Sequence, residues 1–394
     1  MIKNKQQALQ VGFSLIEVMV GLAIGLIATL VVMQTFSTFE GRKRTTTGTS
    51  DAQVNGNIAI YNLQREIQFA GYGFALADGP LPDVTRKVNE AAAAVMPTYT
   101  AIAADNFSAL RCNASGAPLK VDHDNLPGTA DIDFVPVQIV DGGAGLSDTL
   151  MVNYGDTDFG GLPRNVVGAT GNSISINPAG CRNDDLVLVM RSTNVDNCMV
   201  TRVTSTDAQL MTAGAVNMTV QNIAGTGSFV AQAGDRLSCL GQLRSVTFDV
   251  TANQLRRNTQ PIIADVVSLQ AQYGISSEPR SDQIIRWVNA SGVWANPGTA
   301  SNICDAATAN RSCIKAVRVG VVTRNPKLEN TAVSVTCSST NSANPTGICA
   351  WAGDATSPAP SLSISAGANW NRYRYRSYDI MIPIRNMRYA TPLL

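Results

Sequence analysis

The chain has 394 residues, a formal net charge of +1 and a charged fraction of 15%. This balance excludes the basic stripe that nucleic-acid binding needs, and a chain of this length can bury a full core in one large lobe or two smaller ones. Thr, Ser, Asn, Val and Gly are plentiful and helix formers do not dominate, which favours a β-rich body.

Residues 1–12, MIKNKQQALQVG, are polar, with Lys3 and Lys5 and no acid. Residues 13–33 are apolar except for Ser14, Glu17 and Thr29. At about 1.5 Å per residue that run spans about 30 Å, one bilayer core. It is longer than the apolar run of a cleaved secretory signal, and no small-x-small site follows it. A lipoprotein cysteine is also missing, since the first cysteine is Cys112. A plain signal anchor fits the length but leaves Glu17 without a reason, because an intramembrane carboxylate costs about 2.5–3.5 kcal/mol on insertion scales. Lys3 and Lys5 precede the run and Arg42, Lys43 and Arg44 follow it, so the positive-inside rule does not decide orientation.

Helical periodicity returns at Ile60, Leu63, Ile67 and Ala70. One long helix is therefore expected from about residue 14 to residue 70, ended by the glycines of Gly71–Gly73. Gly41, Gly48, Gly56 and the threonines 45–47 lower helix propensity, so a bend or melted turn is expected between residues 41 and 57. Strands are expected within 148–156, 185–193, 245–251, 264–275, 314–325 and 377–386, where β-branched enrichment or alternation occurs. Stretches 141–147, 296–303 and 338–361 are Gly, Asn, Ser and Pro rich and read as surface loops.

All eight cysteines follow the apolar run. An even number on one side of a membrane segment points to disulfides in an oxidising compartment, and so puts the body outside the cytoplasm. Loop length alone suggests the pairs Cys181–Cys198, Cys304–Cys313 and Cys337–Cys349, which leaves Cys112–Cys239. No C-x-x-C pair occurs and His123 is the only histidine, so neither zinc nor another metal is expected. His123 sits in VDHDNLPG without converging partners, and no nucleophile elbow or phosphate loop appears. Asp156 and Asp158 in NYGDTDFGG lack the glutamate of a calcium loop and read as loop acids. NRYRYRSY, residues 371–378, alternates Arg and Tyr, which describes a strand better than a base-stacking face.

The stretch GFSLIEVMVGL, Gly12–Leu22, resembles the type IV prepilin signature. In that family a membrane peptidase cuts after the glycine on the cytoplasmic side and methylates the new terminus, here Phe13, and the helix is kept as the filament core. The resemblance gives Glu17 a role in assembly: its carboxylate pairs with the amine of Phe13 in a neighbouring subunit. AIYNLQREIQFAGYG (59–73) resembles the end of the long helix of PilW-like minor pilins, and RYRYRSYDIMIPIRN (372–386) resembles a final strand shared with GspJ-type pseudopilins of type II secretion. The stretches 265–275 and 314–325 resemble PilW strands, whereas about 75–240 match no motif.

The resemblance implies an α+β type IV pilin fold, with a long N-terminal helix packed on an antiparallel sheet bearing large loop-rich β insertions. It divides the chain into a leader, 1–12, a helix, 13–71 (transmembrane over 13–33), and a β-rich head, 72–394. It implies no enzyme and no cofactor. The implied role is a minor pilin that primes pilus assembly at or near the tip, with PilV-, PilX- and FimU-like minor pilins, the major pilin and a PilY-type adhesin as partners. The protein would wait in the bacterial inner membrane, head in the periplasm, for the prepilin peptidase and assembly. A GspJ-like secretion pseudopilin is the alternative within the class. A membrane-anchored periplasmic binding module or hydrolase is the alternative outside it.

Overall fold

The structure, a computed structural model, describes residues 12–74, 119–121, 123, 131–157, 163–176, 180–191, 198–210, 216–221, 230–279, 281–298, 304–305 and 307–387. Helix α1 (Leu15–Phe69) is continuous, about 80 Å long at 1.5 Å per residue. Ser14 caps it in an extended conformation. The helix ends where Gly71 and Gly73 take positive φ, and Asn386 Nδ2 donates to the Ala70 carbonyl at 2.8 Å.

The strands follow in antiparallel order. β1 (Lys120–Val121) and β2 (Ile132–Asp133) form a short pair. β3 (Val137–Val140) and β4 (Thr149–Gly155) begin a second sheet, and the chain then leaves it to build a closed six-stranded barrel. The barrel holds β5 (Arg164–Thr170), β6 (Ser173–Ile176), β7 (Leu186–Met190), β8 (Cys198–Val203), β9 (Val216–Gln221) and β10 (Arg236–Gly241), with the short helix α2 (Asp207–Leu210) between β8 and β9. The chain returns with β11 (Leu243–Thr251), β12 (Gln254–Arg257) and β13 (Gln260–Ala264), which complete the sheet β13-β12-β11-β4-β3. The last sheet, β15-β14-β16-β17, comprises β14 (Val266–Ile275), β15 (Arg286–Val288), β16 (Ile314–Arg324) and β17 (Tyr375–Pro383). All six expected strand regions carry a strand, and the α+β class holds with antiparallel sheets.

Two cores result. The main core joins Ala59, Leu63 and Ile67 of α1 to both open sheets. The barrel has its own core, and β7 serves both: Leu186, Leu188 and Met190 face the main core, Val187 and Val189 the barrel. Period-two alternation places these two sets on opposite faces of the strand.

The melted turn expected between residues 41 and 57 is absent: α1 stays helical throughout. The buried seam runs Gly48, Ala52, Gly56, Ala59, Leu63, Ile67, at helical spacing, with the smallest residues nearest the membrane end. The glycines there are close-approach sites: a Cβ on Gly48 would overlap the Asn325 amide, and one on Gly56 the Tyr378 ring. The strand side then grips the helix backbone. Thr323 Oγ1 donates to the Ala52 carbonyl at 3.0 Å, Asn325 Nδ2 to the Thr45 carbonyl at 3.1 Å, and Lys327 Nζ to the Gly41 carbonyl at 2.6 Å. The threonine hydroxyls also stay inside the helix, Thr45 and Thr49 bonding the carbonyls four residues back at 3.1 and 2.8 Å. Tertiary packing thus overrides low propensity, as it does for most helices in proteins. Further along, buried Glu66 takes Arg257 Nη2 at 3.0 Å and the Tyr154 hydroxyl at 3.1 Å, which ties α1 to β12 and β4.

Asp148 joins the two open sheets. Its Oδ2 accepts the Ala271 N–H at 2.7 Å and its Oδ1 the Gly142 N–H at 3.1 Å. Burial pushes its carboxyl up to about 6; the two backbone donors pull it down and Asp141 adds to the rise. The folded value lies above the unfolded one, so the folded state binds the proton more tightly. This contribution to stability is full below the unfolded value and is lost as pH rises through about 6.

Two predictions follow from the packing. Gly56→Ala should lower stability by about 1–3 kcal/mol through overpacking, whereas Gly41→Ala, whose Cβ meets only Lys327 Nζ at 3.8 Å, should be neutral or up to about 1 kcal/mol stabilising. Urea midpoints of the two variants check the contrast. Between pH 7 and pH 5 the wild type should gain about 1 kcal/mol more stability than Asp148→Asn, read from unfolding curves at the two pH values.

Candidate functional site

The site is the N-terminal end of α1. Gly12, Phe13 and Ser14 lie outside the helix, and Ser14 has φ −74 and ψ 149. Phe13 is 88% exposed and nothing stands within 4 Å of where a Gly12 Cβ would be. Among the described residues, nothing packs on Gly12, Phe13 is exposed, and neither lies in a helix or strand.

Glu17 stands one turn in. Its Oε2 accepts the Ser14 N–H at 2.9 Å, and its own N–H donates to Ser14 Oγ at 3.3 Å. This is a reciprocal capping box, which satisfies two of the donors that a helix start leaves open and puts negative charge at the positive end of the helix dipole. The sequence reading missed this role, although Ser and Glu three apart is its signal. Among the described residues the other carboxylate oxygen makes no hydrogen bond, so the group can take a further donor.

From Ser14 to Glu40 every residue of α1 is exposed, and the helix is long and apolar enough to cross a membrane. Large side chains such as Leu22, Ile24, Leu26 and Leu30 are each more than half exposed. An apolar surface this long needs lipid or other protein around it.

Among the described residues no group of three His, Cys, Asp or Glu could hold a metal. Asp156 is used structurally: Oδ1 accepts the Gln242 N–H at 2.6 Å and Oδ2 pairs with Arg244 Nη2 at 2.9 Å. Asp158 lies outside the described residues. His123 is half-buried on its short segment, away from any such group. The Arg–Tyr alternation of 371–378 sorts by side: Arg372 and Arg374 bind Glu329, through its carbonyl at 2.7 Å and its carboxylate at 3.0 Å, while Tyr373 carries the guanidinium of Arg324 on its ring.

The cysteine pairs Cys304–Cys313 and Cys337–Cys349 are formed, but Cys181 is joined to Cys239. The expected pairs Cys181–Cys198 and Cys112–Cys239 are therefore overturned. Loop length gave way to strand alternation: Cys181 and Cys239 face the barrel core, whereas Cys198 faces the main core on the other side of β8. Cys198 is itself disulfide-bonded, and Cys112 lies outside the described residues.

Residues 229–386 match the model of the family PilW, Type IV Pilus-assembly protein W. The matched segment holds β10 to β17, and so includes the strands that seat α1. No curated protein and no solved structure matches the chain.

Peptide mapping under non-reducing conditions should find Cys181 linked to Cys239; a Cys181–Cys198 linked peptide would contradict the barrel arrangement.

Proposed function

We propose that this PilW-like component of type IV pilus assembly is a minor pilin, cut between Gly12 and Phe13 and inserted into the pilus through α1. The family match supports involvement in type IV pilus assembly. The observation that carries the finer reading is the shape of the N-terminus. An open Gly-Phe bond, a cap box with a spare carboxylate oxygen and a fully exposed apolar half-helix lie in register on one element.

The chemistry runs in sequence. Before cutting, the apolar half of α1 lies in the inner membrane, with residues 1–12 in the cytoplasm and the head in the periplasm, where its disulfides form. Prepilin peptidase removes 1–12 and methylates the amine of Phe13. In the pilus, Glu17 of each chain receives the cationic terminus of a neighbour in a dry environment. Breaking such a buried pair by removing one partner typically costs about 3–5 kcal/mol. The pair fixes one axial step, as a buried polar residue fixes register in a coiled coil. The head then sits at or near the tip with other minor pilins and a PilY-type adhesin, and helps to prime assembly.

A type II secretion pseudopilin remains the second reading, since the same N-terminal chemistry serves both. The PilW match favours the pilus.

Glu17→Gln separates the two roles of this residue. Glutamine still closes a capping box, so insertion, cleavage and helix content should match the wild type while recovery in sheared pili falls at least tenfold. Wild-type recovery of Glu17→Gln in pili would refute the pairing.

A further inference from the structure

A cleft of about 420 Å³ opens on the head where the β11–β12 turn, the start of β14, the end of β16 and the chain entering β17 meet. That volume lies in the range of small-molecule sites. Trp370, Tyr373 and Tyr375 supply aromatic surface, and Ser147, Asn253 and Arg324 supply polar groups. The guanidinium of Arg324 lies 4.5 Å from the centre of the Tyr373 ring, and its Nε is buried without an acceptor. Arg324 lines the cleft, so its guanidinium can offer N–H donors to a carboxylate there.

The cleft wall includes turns with positive φ between 52° and 58° at Ala252, Asn253, Asp265 and Asn369. Ala252 and Asn253 form the two-residue β11–β12 hairpin turn, which takes such angles at both positions. Tyr375 locks the same wall by donating to the Trp370 carbonyl at 3.0 Å.

The lining selects among ligand classes. An unpaired guanidinium nitrogen and an asparagine are poorly suited to a purely apolar molecule. Asp265 interacts electrostatically with Arg324, so the net positive charge is too small for a phosphate dianion. Aromatic faces beside one guanidinium suit a ring with C–H faces, hydroxyls and a single carboxylate. We propose that this cleft binds an acidic sugar, a hexuronate, with its ring against Trp370 and its carboxylate on Arg324. The proposal does not depend on how the chain enters a pilus, because the cleft belongs to the head alone.

The test is isothermal titration of the full detergent-solubilised chain with glucuronate, glucose and inorganic phosphate. Glucuronate should bind saturably, and glucose at least fivefold more weakly. Arg324→Gln should bring glucuronate down to the level of glucose without changing glucose, and Trp370→Ala, at a half-buried edge of the site, should weaken both sugars. Thermal unfolding of each variant confirms that the head is intact. Absence of saturable glucuronate binding, phosphate binding in preference to glucuronate, or glucuronate binding unchanged in a folded variant each overturns the proposal.

Discussion

The closeness of α1 to the last sheet is the constraint on which the rest depends. Gly48 and Gly56 let the helix backbone reach the Asn325 and Tyr378 side chains, and Thr323, Asn325 and Lys327 then donate to its carbonyls. Among the described residues the first half of α1 is exposed, so the helix is held by its second half. Each polar bond contributes about 1 kcal/mol net at most sites, so the grip relies on several acting together with the buried Leu63 and Ile67. Glu66, with Arg257 and the Tyr154 hydroxyl, locks the far end. Load applied to the N-terminal half therefore reaches both open sheets of the head.

The same arrangement separates the duties of the chain. The N-terminal half of α1 is exposed and apolar, interrupted only by its cap and Thr29 up to Met33, and is long enough to cross a membrane. The head answers to a different environment and is stapled by disulfides, with Cys181–Cys239 bracing the barrel inserted between β4 and β11. Removing a disulfide from a domain of this kind typically costs about 2–5 kcal/mol. The family match takes in the last barrel strand, β10, and the strands that follow it.

Much of this was legible in the residues. The apolar run, its acid and the Gly-Phe junction are local signals, and the strands of the last two sheets have clear alternation or β-branched runs. The seam of α1 was half legible: Leu63 and Ile67 show the period, but Gly48, Ala52 and Gly56 carry it with no side-chain volume, so they read as breakers when they are contacts. The barrel was not legible. β5 is largely open to solvent and β6 is only four residues long, and closure depends on β10 pairing with both β5 and β7 across long stretches of chain. The disulfide error has the same origin, because the facing of Cys198 is set by strand register and not by distance along the sequence.

The central claim is that α1 begins at a processed terminus whose amine meets Glu17 of another subunit. Mass spectrometry of the N-terminal peptide, from protein extracted from wild-type cells, tests it most directly. The account predicts a chain that starts at N-methylated Phe13. A chain that keeps Met1 or Gly12 in those cells would contradict it.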